Sequence, residues 1–100
     1  MKSKKNGRQK AILEFVGRVS KTLVDYQKEF NDYSRTIEQK IFWLKKLAKK
    51  TDDLSVKINN RLTEETRFNK NGQNKATSEL KNVYLKCRIL IDNIDELIQQ

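Results

Sequence analysis

Residues 12–37 read ILEFVGRVSKTLVDYQKEFNDYSRTI, and their spacing decides the fold. Ile12, Val16, Val19, Leu23, Tyr26, Phe30, Tyr33 and Ile37 recur at alternating steps of four and three. With 3.6 residues per turn, that rhythm lines one side of a helix, whereas a strand would need every second residue. A sustained row of this kind marks an amphipathic helix lying lengthwise against other helices. Leu44 and Leu47 keep the frame, with Lys40 the exception, which predicts a first helix over 9–50. Leu13, Phe15, Ile41, Phe42 and Trp43 flank the row, so the apolar face is wider than a two-stranded seam and implies more than one neighbouring helix.

Beyond this row, Thr51-Asp52-Asp53 follows Lys49-Lys50. Lysines suit a helix C-terminus, and Thr or Asp followed by acid suits an N-cap and first turn. This predicts a chain reversal near Thr51. Leu54 and Ile58 also fit the first frame, which leaves one continuous helix as the competing reading. Residues 59–79 are poor in apolar side chains, with Leu62, Phe68 and Ala76 the ones able to bury, and Asn71-Gly72 is a second turn signal that competes with Thr51 as the place of the main reversal. Leu80, Val83, Cys87, Leu90, Ile94 and Leu97 then form another row. Helices are expected over 53–69 and 76–99, with a loop at 70–75. At 1.5 Å per residue, 9–50 spans roughly 60 Å, and so do the two later helices together. The expected fold is therefore all-α: an antiparallel helical hairpin with an interrupted second arm, coiled-coil-like or four-helix-bundle-like when associated. In such a hairpin Asp92, Asp95 and Glu96 would meet Arg8 and Lys10; the plainer reading leaves these acids solvated.

One hundred residues allow one small domain. Lys and Arg number 22 against 13 Asp and Glu, for a net charge of +9. Lys2, Lys4, Lys5, Arg8 and Lys10 precede the first acid, Glu14, so more than half of that excess lies in the opening stretch. Residues 1–10 are expected as a disordered basic tail and 11–100 as a single helical domain. No Pro and 3 Gly argue against a turn-rich β protein. No apolar run approaches the roughly 20 residues of a membrane span, and the basic start lacks the apolar segment of a secretory signal. Met1-Lys2 does not fit the myristoylation signal. A lone Cys87 on an apolar row reads as a buried small residue and suits a reducing cytoplasm.

Enzymatic chemistry finds no footing. Ser20, Ser34, Ser55 and Ser78 have no His to activate them, because the chain contains none. Lys-Asn-Gly-Gln at 70–73 is a turn and not a phosphate loop. Asp52-Asp53 and Asp92, Asp95 and Glu96 lack the further oxygen ligands of a cation site. No catalytic residue, cofactor, metal or small-molecule substrate is expected.

Partners are another matter. Two helices enclose no core, so the broad rows of a lone hairpin would stay partly wet. The chain is therefore expected to pair with another helical protein or with a second copy of itself. Tyr26, Phe30, Tyr33, Ile37, Leu90 and Ile94 are the expected contact residues, with Phe42 and Trp43 as anchors beside the reversal. The alternative is a nucleic-acid-binding or architectural protein gripping phosphates with the basic tail and the Lys45–Lys50 cluster. A third reading attaches the tail to an anionic membrane surface.

A helical hairpin of about this length, with Trp43 just before the expected bend, resembles the WXG helical-hairpin family of type VII secretion. It also looks like the small helical partners of LXG toxins. Trp43-Leu44-Lys45 lacks the Gly of the family motif, and Tyr84 is followed four residues on by Arg88 where the family's export motif has an acid. These departures fit an LXG-associated partner better than a secreted WXG protein. That resemblance implies pairing with another helical chain and a targeting or chaperone-like role toward a toxin.

Overall fold

The computed structural model describes the backbone of residues 2–35, 40–68 and 75–100, with side chains over 9–35, 40–67 and 75–100. Helix α1 (Lys2–Arg35), α2 (Lys40–Phe68) and α3 (Lys75–Gln99) follow in order. No strand occurs among the described residues, and the chain is all-α as expected. Every pair of helices is in contact, α2 with α3 most extensively. The result is a rod of 57 × 20 × 15 Å.

Side-chain contacts fix the helix directions. Tyr33 meets Trp43, Glu29 meets Lys50 and Phe15 meets Arg61, so α1 and α2 run antiparallel. Asp52 of α2 pairs with Arg88 of α3 at 3.6 Å. The link from Phe68 to Lys75 can reach at most about 25 Å. A parallel α3 would place Lys75 roughly 44 Å from Phe68, so α3 is antiparallel to α2 and parallel to α1. Ser20, Leu23, Val24 and Gln27 lie beside Lys86, Ile89 and Leu90, which sets the register between α1 and α3.

The core sits along the shared axis. From α1 it takes Ile12, Val16, Val19 and Leu23, from α2 Leu44, Leu47 and Ile58, and from α3 Ala76, Leu80, Val83, Cys87, Leu90 and Ile94. Tyr26, Phe30 and Tyr33 continue the α1 row as partly buried residues against this core. Both rows seen in the sequence therefore face inward. The third helix closes what a hairpin would have left open.

The expected reversal at Thr51 is not there. Thr51 is a fully buried residue inside α2, and its hydroxyl donates to the Leu47 carbonyl at 2.7 Å. Asp52 and Asp53 lie on the exposed side of the same helix. Leu44, Leu47, Thr51, Ser55 and Ile58 form one unbroken buried row, so the hydrophobic period outweighs the local cap signal. Helices α1 and α2 run in opposite directions on either side of 36–39, which lie outside the described residues, so it is the expected first arm that is divided. Asn31, Asp32 and Ser34 are poor helix formers there, and the Ser34 hydroxyl donates to the Asn31 carbonyl at 2.8 Å, as side chains near helix ends often do.

The second expected turn, at Asn71-Gly72, lies outside the described residues, as does Ile37. The backbone of α1 takes in residues 2–10, the stretch expected as a tail. The proposed meeting of Asp92, Asp95 and Glu96 with Arg8 and Lys10 does not occur. Because α3 runs parallel to α1, those acids lie at the opposite end, level with Asp25 to Asp32 and with the start of α2.

Candidate protein-binding surfaces

The eight residues expected to contact a partner divide by location. Leu90 and Ile94 are buried in the chain's own core, since α3 presents them to α1 and α2. Tyr26, Phe30 and Tyr33 are half covered by the same packing. Phe42 and Trp43 are exposed, Phe42 by 54%. Ile37 lies outside the described residues.

The exposed aromatics gather where α1 gives way to α2. Trp43 stacks on Tyr33 with ring centroids 6.0 Å apart and planes 21° from parallel. Phe42 meets Trp43 edge-on at 5.3 Å, in the geometry that ring quadrupoles favour. The Lys46 ammonium sits 4.8 Å from the Phe42 centroid and 5.4 Å from that of Trp43. The Tyr33 hydroxyl donates to Glu29 Oε1 at 2.9 Å, and Lys50 Nζ donates to both Glu29 oxygens at 3.2 and 3.3 Å. Partial burial, the hydrogen bond to Glu29 and the nearby Glu29 and Asp32 charges together push the Tyr33 phenol up from its ordinary value. Lys50 also lies 5.4 Å from the Tyr26 ring, so it is held by α1 on two sides.

A second surface is the groove between α1 and α3. Ser20, Leu23, Val24 and Gln27 form one wall, and Lys86, Ile89 and Leu90 the other. Val24 is 54% exposed and Ile89 60%, and Leu85, one turn before Ile89, is exposed too. Next to the buried α1 row runs a parallel row of Leu13, Gly17, Ser20, Val24, Gln27 and Asn31, at steps of four, three, four, three and four. It contains no charge. Around Gly17 an added Cβ would meet nothing within 4 Å, so none of the described helices uses it for close approach.

Sequence reasoning missed this second row. The signal was present as a repeat one residue out of step with the first, hidden because only Leu13 and Val24 in it are apolar.

The remaining chemistry is sparse. Cys87 is fully enclosed, and burial pushes its thiol up to about 11, with Arg88 pulling weakly the other way. No group of three or more His, Cys, Asp or Glu gathers among the described residues. Among these residues, too, no helix is long and apolar enough to cross a membrane. The described residues thus form three packed helices with exposed apolar side chains at the α1–α2 corner and along the α1–α3 groove. No family model matches the chain, and no curated protein or solved structure matches it.

Proposed function

We propose that this is a non-enzymatic helical interaction protein that receives a helix of another chain, or of a second copy, in the α1–α3 groove. The observation supporting the reading is that Ser20, Val24 and Gln27 of the uncharged row face exposed Ile89 across that groove. Three helices leave the fourth corner of a four-helix bundle empty, and Val24, Leu85 and Ile89 are the apolar groups a fourth helix would cover. Gly17 and Ser20 let a neighbouring backbone come near. The expected pairing with another helical chain is thereby moved from the core rows to the row beside them.

A Val24→Asp/Ile89→Asp double variant tests this. Both sites are exposed, so the fold is retained, and the helical circular dichroism should be unchanged. Tagged wild type and variant are compared by light scattering across a concentration series and by co-purification from native cells. The wild type should gain mass or a defined helical partner that the variant lacks. Identical retinues, with both proteins running as single chains, would remove the proposal. The narrower version, a targeting or chaperone-like partner of an LXG toxin, rests on the family resemblance. Co-expression with a helical toxin domain encoded nearby is its direct test.

A further inference from the structure

We propose that the corner where α2 begins is a docking surface for an anionic lipid bilayer, formed by Ile41, Phe42 and Trp43 with Lys45, Lys46 and Lys49. All three apolar residues of this run are exposed. They occupy the first turn of α2, at the end of the rod. Phe42 and Ile41 are the more exposed of the three, while Trp43 stacks on Tyr33 of α1 beside them. Aromatic and aliphatic tips held this way suit the headgroup–acyl boundary, where a Trp or Phe ring is half in water and half in hydrocarbon.

Charge completes the match. Between residues 40 and 50 there are five lysines and no acid, and the first turn of α2 carries no acid to offset the positive helix end. Lys50 is engaged with Glu29, while Lys45, Lys46 and Lys49 are exposed. Their stems can lie along the apolar tip while the ammonium groups reach lipid phosphates. Asp92, Asp95 and Glu96 of α3 reach the same end of the rod, so α3 is acidic where α2 carries Lys45, Lys46 and Lys49, with Arg35 closing α1. A docked molecule is therefore tilted, with α2 down and the end of α3 away from the membrane.

The rings argue against a nucleic acid in this place. A base needs an open aromatic face to stack on. One face of Trp43 is covered by Tyr33, and Lys46 lies over both the Phe42 and the Trp43 rings. Ile41, the third apolar residue, has no π face at all. The cations of the proposed surface, Lys45, Lys46 and Lys49, are point charges suited to a fluid layer of headgroups; Arg35 stands apart from them at the end of α1.

Trp43 is the sole tryptophan, so its own fluorescence reports on the site. The full chain is titrated with phosphatidylcholine vesicles and with vesicles also containing phosphatidylglycerol. A blue shift and quenching by brominated lipid are expected with the anionic vesicles alone. Ile41→Ser/Phe42→Ser should retain the helical signal and lose the shift. Replacing Lys46 and Lys49 by Gln should weaken binding by about fivefold for each lysine. Neutralising Lys2, Lys4, Lys5, Arg8 and Lys10 should lower total binding and leave the Trp43 shift intact. The proposal is overturned by an unshifted Trp43 on anionic vesicles, by equal binding to neutral ones, or by an oligonucleotide that displaces the vesicles and moves Trp43 itself.

Discussion

Cys87 shows how a single position is decided by its surroundings. The sequence places it on an apolar row, and the fold encloses it completely. Its thiol is held up to about 11 because the thiolate would lose its hydration. Native protein should therefore react with a thiol reagent at neutral pH no faster than it unfolds, a rate that stopped-flow absorbance can read. The pH dependence has a definite sign. The folded state holds the thiol proton more tightly than the unfolded chain, so this stabilisation is complete below the unfolded value and is lost as pH rises from about 9 to 11. Chemical denaturation should show that fall, and Cys87→Ala should show less of it. Ile94 carries a related lesson. As a partner contact it would tolerate Asp in the isolated chain; as a core residue with no exposure it does not, so Ile94→Asp reports on folding.

Helices α1 and α2 mark where the sequence speaks clearly and where it is ambiguous. Inward-facing residues were legible because burial imposes a period that composition cannot imitate. Element ends were not. The frame Tyr33, Ile37, Lys40, Leu44 passes through the turn without a slip, so periodicity reads two helices as one. Asn31, Asp32 and Ser34 were the faint sign of an end, with no Gly or Pro to reinforce them. Thr51-Asp52-Asp53 misled in the opposite direction, because a Thr bonding back to a carbonyl four residues earlier looks like a cap in sequence. Thr51→Pro separates the two. A first-turn residue accepts Pro, but mid-helix Pro costs about 3 kcal/mol or more, and a thermal melt should show the larger loss. Gly17 is the reverse case. It sits in α1 with open space around it, so Gly17→Ala should stabilise the isolated chain by about 0.5–1 kcal/mol. If the groove seats a fourth helix, the same variant should weaken that association, and its melting and binding should move in opposite directions. The uncharged row escaped notice because a docking edge can be marked by missing charge rather than by added apolar bulk.

For the whole molecule, the third helix changes the energetics. Two arms would have left Leu47, Ile58 and the α1 row wet on one side, and α3 covers them with eight buried residues of its own. A chain ending at residue 68 should therefore lose its cooperative thermal transition in circular dichroism, and adding residues 69–100 as a separate peptide should restore part of it. The groove is legible only at this scale, because it takes residues from α1 and α3, whose pairing depends on the directions of all three helices.

An odd number of alternating helices also has a mechanical result. Lys10 and Gln99 lie roughly 35 Å apart along the rod, at opposite ends, because α1 and α3 point the same way. Tension applied between them would slide α1 and α3 lengthwise past their neighbours, loading many core contacts at once. A two-armed hairpin pulled by its adjacent ends would peel open one turn at a time. In a force spectrometer this chain should yield in one abrupt step.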